Sequence, residues 1–114
     1  MGLFRREVID FALDLETQRA IEEQQALIAA EPSNPRPYFQ LAALYRVQQK
    51  QDAALGLLLE SVRLDPAFAP AHVALAEIYA VRNDIPAARR HAVLAAEQGN
   101  TQARDMLLRY AVQL

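Results

Sequence analysis

Displaced by 34 residues, the sequence falls back onto itself. Phe11, Tyr45 and Tyr79 come into register, as do Leu13, Val47 and Val81; Ala20, Ala54 and Ala88; and Ile28, Val62 and Ala96. Pro32 and Pro66 align too, and Leu41-Ala42-x-x-Tyr45 returns as Leu75-Ala76-x-x-Tyr79. A fixed period of this size marks stacked repeats, in which a unit buries its apolar face against its neighbours.

Inside each unit the apolar spacing is helical. Tyr38, Leu41, Ala42 and Tyr45 follow i, i+3, i+4, i+7, and Ala54, Leu55, Leu58, Leu59 and Val62 share a second helical face. The polar run Gln48 to Gln51 offers a turn between them. In the next unit Asn83-Asp84-Ile85-Pro86 breaks the chain more firmly, because Asp caps a helix and Pro suits its first turn. Asp65-Pro66 closes the earlier unit, since proline disfavours helix at the residue before it. Composition agrees: 22 alanines and 16 leucines stand against 7 valines and 5 isoleucines, so an all-α fold is expected.

These residues resemble the tetratricopeptide repeat family. Tyr38, Leu41, Ala42, Tyr45, Ala54, Leu58 and Pro66 fit its pattern at the right spacings. His72, Leu75, Ala76, Tyr79, Ala88 and Ala92 fit a second copy, with Asn100 where proline is expected. Ala42 and Ala76 replace the family's glycine, small for small. The resemblance implies a right-handed α-solenoid of antiparallel helix pairs, about seven helices in all. Residues 1–114 are expected to form one domain: a degenerate repeat at 1–34, repeats at 35–68 and 69–100, and a capping helix at 101–114.

The first unit is irregular. Phe4, Phe11, Ala20, Leu27 and Pro32 fit, but Glu7-Val8 stands where the pattern has Leu-Gly. Leu15-Glu16-Thr17 carries neither Gly nor Pro, which leaves open two helices or one long one. At the other end Gly99 can stop a helix, Asn100 or Thr101 can cap the next, and Arg109 takes a leucine position.

Catalytic chemistry finds few residues to use. The chain has no cysteine, which removes disulfides, thiolate metal sites and cysteine nucleophiles. His72 and His91 lie on different predicted helices, without a metal-ligand spacing. His72 takes a packing position and His91 is expected to face solvent. Glu7, Asp10 and Asp14 share one helical face, read as a charged outer surface and not a cation site. No serine or threonine stands in a nucleophile-elbow or phosphate-loop context. No enzyme activity, metal or cofactor is expected.

Charge narrows the partners. Fourteen acidic and 12 basic residues give a net charge of -2. Residues 1–31 carry -4 and the remainder +2, without the clustered basic face that nucleic acid requires. No apolar run is long enough to span a bilayer, and the start of the chain does not read as a secretory leader. A cytoplasmic protein is expected.

Function must then rest on the surface that stacking makes. The resemblance implies a concave groove, lined by the first helix of each pair, that binds a peptide segment of a protein partner. Carried over by position, the first such helix offers Arg36, Phe39, Ala43, Arg46 and Val47. The next offers Pro70, Val73, Glu77, Ala80 and Val81, and the closing helix adds Arg104 and Leu108. Phe39 is the expected anchor, against the alternative of ordinary packing between repeats, and Arg46 has the alternative of pairing with Glu77. Phe39 and Ala43 stand where chaperone-cofactor members grip a terminal carboxylate, so that clamp is not expected. The competing reading is a homodimer formed through Leu3, Phe4, Val8 and Phe11 of the irregular first unit. Membrane contact by this segment is disfavoured by its acidity.

Overall fold

In the computed structural model residues 2–110 are described, with side chains from residue 5. Six α-helices follow one another: α1 (Gly2–Ala30), α2 (Pro35–Val47), α3 (Gln51–Leu64), α4 (Ala69–Val81), α5 (Ile85–Glu97) and α6 (Gln102–Arg109). No strand occurs among the described residues. Each helix packs on its neighbour in sequence, and α6 also returns to α4, which gives a solenoid of helix pairs.

The repeat is carried by identical contacts one period apart. Ala42 and Ala54 in the α2–α3 pair, and Ala76 and Ala88 in the α4–α5 pair, are fully buried. Their small side chains let the backbones approach where larger ones would hold them apart. At the start of each pair a side chain ties the helix to the loop before it. The Tyr38 hydroxyl donates to the Pro32 carbonyl at 2.7 Å, and His72 Nε2 makes the same contact with Pro66 at 2.7 Å. Ser61, buried on α3, donates to the Pro35 carbonyl at 3.0 Å.

Helix ends follow local chemistry. Asn34 and Asp84 accept from the backbone N–H groups of Arg36 and Ala87, and prolines fill the first turns of α2, α4 and α5. The helices α2, α4 and α5 end on Gln49, Asn83 and Gly99 in the left-handed region, with φ of 63°, 60° and 87°. In each case the next N–H reaches back to a carbonyl five residues earlier: Lys50 to Tyr45, Asp84 to Tyr79 and Asn100 to Ala95.

The first unit departs from the expected seven helices, because its two segments form one helix of 29 residues. Three departures from the repeat explain why the chain does not turn back. Leu15 stands one period before Gln49, and a leucine in the left-handed region costs about 1–2 kcal/mol. Glu7 and Gln24 stand one period before Leu41 and Leu58, which are 4% and 1% exposed. A hairpin here would bury polar groups at its centre. So α1 runs straight, packing on α2 through Ile21 while Val8, Ile9, Phe11, Leu13 and Leu15 remain exposed. The side chains of Leu3 and Phe4 lie outside those described.

At the other end α6 covers Val73, Ala76 and Ala92 with Ala103 and Leu107. It is shorter than the expected capping helix, because Tyr110 already forms its C-cap; residues 111–114 lie outside the described ones. The central helix α4 is therefore enclosed by α3, α5 and α6, with seven buried residues from Ala71 to Ile78.

The left-handed turn residues give a direct test. Asn83→Leu is expected to lower stability by about 1 kcal/mol, while Asn83→Gly leaves it level or raises it. Urea unfolding checks both.

Candidate functional site

Residues of α2, α4 and the start of α6 come together on one side of the stack. Between them lies a recess of about 220 Å³. Its floor is apolar, made by Phe39 and Ala43 of α2 with Val73 and Ala74 of α4. Arg46 and Glu77 form one wall; Asn100 and Gln102, at the start of α6, form the other. A second, wider recess of about 510 Å³ adjoins it across the same Arg46 and Glu77, and is walled by Ala80, Val81, Ile85, Met106 and Tyr110.

Arg46 donates to Glu77 Oε2 at 3.1 Å, with both side chains about one-third exposed. The alternative raised for Arg46, pairing with its neighbour, is the contact formed. A pair exposed to this extent contributes about 1 kcal/mol at most. Its larger effect is to hold both side chains upright between the two recesses.

Phe39 has two contacts. One side of the ring meets Phe68, with centroids 5.6 Å apart and planes tilted by 41°, and the other side lines the recess. Packing between repeats and an open apolar surface are thus both present. The remaining expected residues lie apart. Arg36 sits at the loop edge, its guanidinium 5.9 Å from the Phe68 ring centre. Val47 is 71% exposed beyond the recesses, at the end of α2. Arg104 points along α6, 3.7 Å from Asp105, and Leu108 is exposed.

The sequence reading missed Asn100, Gln102, Met106 and Tyr110, and with them Ala74 and Ile85. A signal existed for the first of these: Asn100 occupies the period position of Pro32 and Pro66, which marks the residues just after it as a new first helix.

Of the two histidines, His72 is buried as expected and His91 differs. His91 does not face open solvent; it is half-buried on α5, stacked between His72 and Tyr79 at centroid distances of 5.2 and 5.6 Å. The Pro66 carbonyl can only accept, so His72 Nε2 donates to it, and the Nδ1 atoms of His72 and His91 lie 2.9 Å apart with one proton between them. Burial, then the neighbouring His72 and Arg90, push His91 down to about 4. Among the described residues no group of three His, Cys, Asp or Glu is placed to hold a metal ion. No helix among them is long and apolar enough to cross a membrane.

A family model described as tetratricopeptide repeat matches residues 14–91, more than half of the chain. No curated protein matches the sequence.

The depressed His91 value sets a sign for pH dependence. The unfolded chain takes up this proton near pH 6.5, while the folded chain refuses it until about 4. Stability contributed by neutral His91 is therefore complete above pH 6.5 and is lost as pH falls from 6.5 towards 4. His91→Leu, which installs the residue that unit two carries at Leu57, is expected to flatten the stability difference between roughly pH 7 and pH 5. Urea unfolding at the two pH values measures it.

Proposed function

The chain belongs to the tetratricopeptide repeat family, whose members are generally protein-interaction modules, and from that premise we propose a cytoplasmic, non-catalytic adaptor that binds a peptide segment of a protein partner in its concave groove. In this reading residues 35–68 and 69–100 are the groove-forming units, 1–34 a degenerate unit and 101–114 the closing segment. The observation that carries it is the pair of adjoining recesses on one face, apolar in the floor and polar at the walls.

That arrangement suits an apolar side chain seated between Phe39 and Val73, with the peptide backbone meeting Asn100 and Gln102. The walls are nearly neutral, because Arg46 and Glu77 offset each other. Specificity then comes from shape at the floor and from hydrogen bonds at the rim, with Arg36 and Arg104 as outlying contacts for acidic residues of the partner. Val47, Ala80 and Val81 extend the apolar surface beyond the wider recess. A groove of this length buries a modest area, which suits roughly micromolar, reversible binding.

The exposed apolar residues of α1 favour a second reading, self-association through the N-terminal helix. Light scattering at two concentrations tests it: a dimer lost on deleting residues 1–16 supports self-association, and a monomer throughout dismisses it.

For the groove, peptides selected by display on the immobilised protein supply the ligand. Phe39→Ala is expected to weaken the selected peptide by more than about 1 kcal/mol in calorimetric titration. The same change loosens packing on Phe68, so circular dichroism must show the variant folded at the titration temperature. Unchanged affinity in a folded variant removes Phe39 from the site.

A further inference from the structure

Of the exposed apolar residues on the free part of α1, three share one face, while Ile9 and Leu13 lie on another. Val8, Phe11 and Leu15 follow one another at steps of three and four residues and are 54%, 64% and 50% exposed. That spacing matches one heptad of the seam by which two helices pair. It ends where Gln18 and Glu22 take the next two seam positions and are joined to each other at 3.4 Å.

The seam also faces the right way. The residues of α1 turned towards α2 are Thr17, Ala20, Ile21, Gln24 and Ile28, none of them classed as exposed. At 100° per residue, their mean direction lies about 160° round the helix from that of Val8, Phe11 and Leu15. Whatever pairs with the seam meets it on the side of α1 away from the rest of the molecule.

Charges beside the seam select the partner and its direction. One flank carries Glu7 and Asp14, the other Arg5, Ala12 and Arg19. In a parallel pair of these helices each flank meets the opposite flank of the other copy, five residues on, and Asp14 faces Arg19. In an antiparallel pair each flank meets its own kind, acid against acid and base against base. Among the described residues neither Asp14 nor Arg19 has an ion-pair partner within the chain.

We propose that two copies of this chain associate through α1 as a parallel two-fold pair, Val8, Phe11 and Leu15 each meeting their counterpart, with an Asp14–Arg19 ion pair on either side. The proposal rests on the self-association reading and gives it a geometry. Two-fold symmetry makes the contact self-complementary and closed, and the two bodies stand on opposite outer sides.

Sedimentation velocity on the full chain over a roughly hundredfold range of concentration reads the association. The expected result is a reversible monomer–dimer equilibrium that Phe11→Glu weakens about tenfold or more, with the helical signal retained. Asp14→Arg is expected to weaken the dimer roughly fivefold, and Asp14→Arg with Arg19→Asp to restore it. Because the chain has no cysteine, Val8→Cys gives a second readout: only parallel pairing brings the two introduced thiols together, so oxidation should yield a covalent dimer. A monomer at every concentration overturns both self-association and the geometry. A dimer that Asp14→Arg strengthens, or that Val8→Cys does not cross-link, keeps self-association and overturns the parallel arrangement. A dimer indifferent to Phe11→Glu overturns the seam.

Discussion

Ala42, Ala54, Ala76 and Ala88 are fully buried, and each pair recurs one period on. At these points the two helices of a unit pack with only small side chains between them, and the larger side chains cluster around them. Leu58 and Leu75 fill the gap between α3 and α4, while Val73 and Leu107 do the same between α4 and α6. A leucine introduced at any of the four alanines would force the pair apart, at a cost of about 1–3 kcal/mol or more. The recess lined by Phe39, Ala43, Val73 and Ala74 lies between α2 and α4, which lead the two pairs.

The stack is punctuated as much as it is packed. Three residues in the left-handed region end α2, α4 and α5, and the cap that follows each of them begins the next helix or its loop. Where that residue becomes Leu15, the punctuation disappears and the chain continues as one helix. The same feature thus accounts for the regular units and for the one that differs.

Most of the architecture could be read from the letters because it is repeated. Period, helical spacing and turn residues all pointed to paired helices from Pro35 to Gln98, and local preference agrees there with tertiary packing. In the first unit they disagree. The aromatic register of Phe11 argued for a hairpin, while Leu15, Glu7 and Gln24 argued against it. Only the comparison with buried Leu41 and Leu58 shows which wins. The recess between α2 and α4 was legible in part, since Phe39, Ala43 and Val73, grouped by their positions on the first helices, line it together. Its α6 wall was not, because Asn100 and Gln102 belong to a segment that keeps the repeat's place without its sequence. The setting of His91 was likewise hidden: one histidine in a leucine's position gives no sign that another waits one helix away.

Arg46 and Glu77 belong to successive units, so their bridge links the two repeats side chain to side chain. Worth about 1 kcal/mol at most, it can be exchanged for a guest's carboxylate on Arg46 at little cost to the fold, because α3, α5 and α6 hold α4 without it.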